Sequence, residues 1–293
     1  MSGPNNDQSA CRDANITAKS KVPDATASFW LLKLLTTALG EAASDFVLHR
    51  AGMLGAAIAS VLFIAIVTVQ MAAKSYRPVT YWVTVAMVAI WGTMAADAVH
   101  HVLGVPLGAS TLCCAAAVGL VFVAWRKTEG TLSIHSITSV RREAFYWFAV
   151  STTFALGTAA GDYTAFQLGL GFLGSTIFFF ALILLPPLMH WRFGLNSVVA
   201  FWWAYILTRP LGASIADWLG KPRQISGLGI GDQKVAACLL VIFSLALVAT
   251  TFASQRRRPR AGEPSPMTAA DVYQAKTVAT RPGACRNTVC DDA

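Results

Sequence analysis

The chain has 293 residues, 55% of them hydrophobic and only 13% charged, with a mean hydropathy of +0.53 and a formal net charge of +8. Soluble domains carry roughly 25% charged residues, so this chain lacks the charge to cover a water-facing exterior, and lipid is the expected solvent. The excess positive charge gathers at the ends of apolar runs and in the tail rather than in a basic stripe with interleaved aromatics, which excludes a nucleic-acid-binding class.

Residues 1–20 are polar and read as a disordered N-terminus without a secretory signal pattern. Eight apolar stretches follow, each near the ~20 residues that cross a bilayer as a helix: 26–48, 52–73, 79–101, 107–125, 143–167, 169–190, 197–219 and 233–254. The expected fold is an all-α polytopic membrane protein, with a membrane domain over 21–254. Residues 255–293 are Arg- and Pro-rich and read as a disordered basic tail. Cys113 and Cys114 fall inside an apolar run and read as packing residues. Cys285 and Cys290 form a C-x4-C pair in the tail without a second pair, a weak zinc signal.

Lysine and arginine set the expected orientation. With eight spans, one side collects Arg12, Lys19, Lys21, Lys74, Arg77, Arg126, Lys127, Arg141, Arg142, Arg192, Arg256, Arg257, Arg258 and Arg260. The other has Arg50, Lys221, Arg223 and Lys234. The 14-to-4 bias predicts that both termini are cytoplasmic.

The strongest signal is an internal repeat. The pairs Phe29-Trp30, Tyr81-Trp82, Tyr146-Trp147 and Phe201-Trp202 each open an odd-numbered span. Ten residues after each Trp comes Gly40, Gly92, Gly157 or Gly212, and five further on Asp45, Asp97, Asp162 or Asp217. The pattern [FY]-W-x9-G-x4-D occurs four times, and in three copies a further glycine follows (Gly52, Gly104, Gly169). Such alignment of uncommon residues implies duplication. The repeats run over about 26–73, 79–125, 143–190 and 197–254. Each contains two spans, so all four face the same way, as parallel repeats about an axis along the membrane normal. The aromatic pairs are expected at the cytoplasmic interface. The glycines are expected to let helices approach closely. The aspartates, roughly 22 Å up their helices, are expected toward the outer side.

The segments KVPDATASFWLLKLLTTALGEAASDF, REAFYWFAVSTTFALGTAAGDY and FWWAYILTRPLGASIADWLGKP resemble a family of bacterial inner-membrane proteins of unknown function. That family is built from four tandem two-helix repeats, each with a characteristic Trp. The resemblance covers about residues 20–254. It implies a fold and a compartment, the bacterial inner membrane, and no activity. In that family a Thr often stands where this chain has Asp232.

Polar residues form stripes in steps of four on the odd spans, and residues at that spacing share a helix face. The first span carries Lys33, Thr37, Glu41, Asp45 and His49, and the seventh Tyr205, Arg209, Ala213, Asp217 and Lys221. The third has Thr93, Asp97 and His101 with His100 beside them, and the fifth Thr158 and Asp162. Charges inside a bilayer cost about 2.5–3.5 kcal/mol each on insertion scales, so Lys33, Glu41 and Arg209 are expected to face inward and pair, with Arg209 the best partner for Glu41. Against Lys33 and Arg209 stand Glu41, Asp45, Asp97, Asp162 and Asp217, an acidic excess that protonation, solvation or a cation must offset. The aspartates alternatively cap helix ends. His49, His100 and His101 near the same ends are weak metal-ligand candidates.

The leading functional expectation is a secondary transporter or pathway for a small cation, proton-coupled or metal. The alternative is a non-transporting scaffold or sensor whose basic tail binds a partner or lipid. A remote alternative is an intramembrane aspartyl protease, because Gly229-Ile230-Gly231-Asp232 resembles the motif that opens a catalytic helix in such enzymes. No Walker loop, dinucleotide fingerprint, Ser-His-Asp order or HExxH is present. The chain therefore reads as a non-enzyme without a cofactor, its partners the bilayer and a small cation.

Overall fold

The computed structural model describes residues 20–256, and among these the structure is helical with no strand. The N-terminal and C-terminal tails, with Cys285, Cys290 and the basic residues beyond Arg256, lie outside the described residues. The helices are α1 (Ala27–Ala72), α2 (Pro78–Asp97), α3 (Leu107–Glu129), α4 (Val140–Asp162), α5 (Gly171–Ile183), α6 (Leu185–Phe193), α7 (Ser197–Gly220) and α8 (Asp232–Arg256). Short π-helical turns, Ala98–Val102 and Tyr163–Gln167, continue α2 and α4. Of the described residues, 20–250 fall in one compact unit and 251–256, which are helical, in a second.

Among the described residues six helices are long and apolar enough to cross a membrane, against the eight spans expected. The difference has two physical causes. The 46 residues of α1 would reach roughly 69 Å if straight, but the helix breaks at Gly52, whose φ of 51° and ψ of −135° belong to glycine alone. The chain then folds back, so that Gln70 near its end meets Glu143 at the level where the helix began. The second cause is α4, which carries Arg141, Arg142 and Glu143 in its first turn and Ser151, Thr152, Thr153, Thr158 and Asp162 further on. It is too polar to read as a span on composition. The sixth apolar stretch is divided at Leu184 into α5 and α6, just before Pro186 and Pro187.

Repeat packing is cyclic. The first aromatic of each copy touches the Trp of the next: Phe29 with Trp82, Tyr81 with Trp147, Tyr146 with Trp202, and Phe201 back with Trp30, at centroid distances of 5.5, 5.7, 6.2 and 5.7 Å. The glycines obey the same rule. A Cβ on Gly40 would strike Ala89, one on Gly92 would strike Phe154, one on Gly157 Arg209, and one on Gly212 Thr37. Each of those partners is the seventh residue after its own Trp. Glycine is thus required where one helix of the inner ring crosses the next.

The tryptophans are repeat-packing residues. Trp82, Trp147 and Trp202 are only 3–4% exposed. Each is drawn into the seam because the neighbouring repeat offers an aromatic face, which buries more ring area than a headgroup layer could.

The return segments pack outside the ring, each against the opening helix of the next repeat. Phe63 of α1 stacks on Trp91 of α2 at 4.5 Å, Thr111 of α3 donates to the Ala159 carbonyl of α4 at 3.0 Å, α5 packs on α7, and Val235 and Ala236 of α8 pack with Ala38 and Ala42 of α1. Their far faces show Leu112, Leu120, Ile177, Val241 and Leu245 exposed. Apolar surface on that scale belongs in a bilayer.

Candidate functional site

Reading inward along the ring, residues four apart form layers of four. The first holds Phe29, Tyr81, Tyr146 and Phe201; the second Lys33, Val85, Val150 and Tyr205; the third Thr37, Ala89, Phe154 and Arg209. The fourth holds Glu41, Thr93, Thr158 and Ala213, and the fifth Asp45, Asp97, Asp162 and Asp217. The same offset carried one turn further gives His49, His101, Phe166 and Lys221. Lower layers are packed solid, and the upper ones open into a cavity.

Arg209 forms the floor. Its side chain is fully buried, and it donates to Glu41 Oε2 at 3.0 Å, to the Thr37 carbonyl at 2.8 Å, to Thr158 Oγ1 at 2.9 Å and to Thr93 Oγ1. A longer bond runs to the Phe154 carbonyl at 3.4 Å. Thr93 and Thr158 also donate to Glu41 Oε2, at 3.1 and 3.3 Å. The residues just after three repeat glycines thus converge on a guanidinium supplied by the fourth repeat. A charge pair this dry survives because the guanidinium and Glu41 Oε2 are bonded from four helices.

Above the floor lies a cavity of about 740 Å³. Its walls include Glu41, all four repeat aspartates, Asp232, the histidines His49, His100 and His101, and Lys221. The aspartates are not caps. Asp97 and Asp162, where α2 and α4 pass into their π turns, make no side-chain bond to a helix end. Asp45 pairs with Lys221 at 2.5 Å, and Asp217 lies 3.9 Å from the same ammonium. Burial opposes the charge on Lys221, but Asp45 and Asp217 outweigh it and hold its pKa above the ordinary lysine value. The imidazoles sit at the mouth. His49 and His100 each bond through Nδ1 to a backbone carbonyl, of Asp45 at 2.9 Å and Val105 at 2.8 Å. A carbonyl only accepts, so Nδ1 carries a proton in each. Among the described residues the group able to hold a metal ion is Glu41, Asp45 and Asp217, without a histidine.

Two sequence expectations change here. Lys33 makes no ion pair with the carboxylates; its Nζ lies 3.9 Å from the centre of the Phe154 ring and 4.1 Å from that of Tyr205, with no hydrogen-bond partner. Arg209 occupies the level between it and Glu41, and the ring faces supply the remaining attraction. Lys221, counted only as an outer-side charge at the end of a stripe, stands among the cavity carboxylates. Its offset from Trp202 equals that of His49 from Trp30, the one signal that could have revealed it. A third feature had no signal. Lys21 reaches Glu143 at 2.7 Å at the aromatic end, with Gln70 bonding the same carboxylate at 3.2 Å. There Ser20 and Lys21 are also tied to the carbonyls of Ile134 and Ile137.

The fold and this site define a membrane protein of duplicated helical hairpins whose repeat carboxylates share one polar cavity. The chain belongs to the family described as Repeat of Unknown Function (DUF347), whose model matches at residues 28–77, 80–131, 145–195 and 200–256. No curated protein and no solved structure matches it.

Proposed function

We propose that the chain crosses the bacterial inner membrane eight times as four parallel hairpins, with both termini in the cytoplasm, and that its cavity is the outward vestibule of a transporter for a small cation. One observation supports this most: four aspartates, one from each repeat, line a single cavity together with Glu41 and Asp232, while among the described residues Lys221 is the one Lys or Arg in its lining. A bundle that needed only packing would not gather four carboxylates in one shared space, one of them, Asp217, buried and the other three half-buried. The Arg209 floor and the aromatic layer beneath it close the path at the other end. Transport therefore requires these layers to part, as in alternating access.

Topology is tested first. A reporter fused after Ala293 should be active as a cytoplasmic marker and silent as a periplasmic one. The reverse would move the vestibule to the cytoplasmic side.

Transport is tested with Glu41→Gln, Asp45→Asn and Asp162→Asn in proteoliposomes, scored for uptake of monovalent and divalent cations and of protons. Each folded variant should lose at least tenfold of the wild-type flux. Full flux in all three would remove the transporter and leave a scaffold.

A further inference from the structure

Among its carboxylates the vestibule already contains a cation of the chain's own. Lys221, the first residue after α7, lies between Asp45 of the first repeat and Asp217 of the fourth, at 2.5 and 3.9 Å. Asp217 is 5% exposed, and no hydrogen bond to its carboxylate exists among the described residues. Glu41 is equally one-sided. Arg209, Thr93 and Thr158 all bond to its Oε2, whereas Oε1 accepts nothing from the described residues, although Glu41 is 4% exposed and lines the cavity.

One oxygen from each of Glu41, Asp45 and Asp217 lies within 4.8 Å of the other two. Oxygens on opposite sides of one ion with metal–oxygen bonds of about 2.3–2.6 Å stand about 4.6–5.2 Å apart. The three carboxylates thus fit one coordination sphere of that size, and the donor set is oxygen only, which suits hard cations.

We propose that Glu41, Asp45 and Asp217 bind a hard divalent cation of the Ca²⁺ or Mn²⁺ class, and that Lys221 is a tethered surrogate that fills the site until the ion displaces it. This rests on the cation reading of the vestibule and narrows it to one class. Charge balance supports the exchange. Three carboxylates with Arg209 and Lys221 sum to −1, and with a divalent ion in place of Lys221 they sum to zero. Asp232, on the same cavity wall, is an alternative partner for the released ammonium.

The test is a Mn²⁺ titration of the purified full chain in detergent, following loss of the free-ion electron paramagnetic resonance signal, with thermal unfolding checked for every variant. Wild type should bind one Mn²⁺ per chain, displaced by Ca²⁺ and not by K⁺. Lys221→Gln should bind at least tenfold more tightly. Lys221→Arg, whose planar fork holds a carboxylate more firmly, should bind more weakly than wild type. Asp217→Asn and Asp45→Asn should lose at least tenfold. Affinity in folded Lys221→Gln equal to or below wild type overturns the surrogate, and unchanged binding in Asp217→Asn overturns the site. If Lys221→Gln does not fold, the Arg and Asp217 variants decide. Mn²⁺ binding without flux in proteoliposomes would remove the transporter and keep this site; flux without Mn²⁺ binding would do the reverse.

Discussion

Arg209→Met is expected to destabilise the protein by about 3–5 kcal/mol, the usual cost of stripping one partner from a buried charge pair. The loss falls on Glu41, which is left with only Thr93 and Thr158 to bond, and on the Thr37 carbonyl, which loses the guanidinium. Glu41→Gln alone should also destabilise, since it leaves the guanidinium without a counter-charge. The double variant Arg209→Met/Glu41→Gln is the informative one. It removes both charges at once, and replacing a buried pair by uncharged groups is often close to neutral. Its stability should therefore lie within about 1–2 kcal/mol of wild type, well above the sum of the single losses. The measurement is a double-mutant cycle by denaturant or thermal unfolding in one detergent. Additive losses would show that Arg209 acts through its separate bonds to Thr37 and Phe154 rather than through Glu41. If the proposed transport holds, flux should fall in all three variants, because each changes the floor beneath the cavity.

The second large effect is expected at Gly40. An alanine there meets the Ala89 side chain and, at 2.9 Å, the Ala89 backbone carbon. Backbone cannot rotate away, so α1 and α2 must separate and the cyclic ring opens at that seam. Overpacking of this kind costs about 1–3 kcal/mol, and the same shift would pull Glu41 from Thr93. Gly119→Ala in α3 is the control. It meets nothing within 4 Å and sits in a helix facing outward, so it should be neutral or stabilising by up to about 1 kcal/mol. Equal effects at the two positions, measured as unfolding midpoints, would show that the repeat glycine is not a crossing point. Gly212→Ala, which meets Thr37 and the Ala38 nitrogen at 3.0 Å, should behave like Gly40→Ala.

How much of this was legible beforehand follows from what a helix encodes. Position along a helix sets depth, and spacing in steps of four sets the face. The sequence alone therefore determined the fourfold duplication, the common depth of the four aspartates, the glycines as contact points, and the stripe that brings Glu41 toward Arg209. The glycine that follows the aspartate in three copies was visible too, but its positive φ at Gly52, Gly104 and Gly169 appears only in the structure. Spacing says nothing about which neighbour a side chain meets. That depends on how closely two helices approach and where each side chain then has room, and only the tertiary structure decided it. The tryptophans meet the first aromatic of the preceding repeat, a pairing that no spacing within one repeat encodes. Lys33 faces two rings instead of a carboxylate, because Arg209 stands at the level between. Lys221 closes the stripe of its helix, but only the return of the first repeat beside the fourth places Asp45 2.5 Å from its ammonium. Lys21 and Glu143 are separated by 122 positions, and their pairing follows from closure of the ring, which no local pattern encodes.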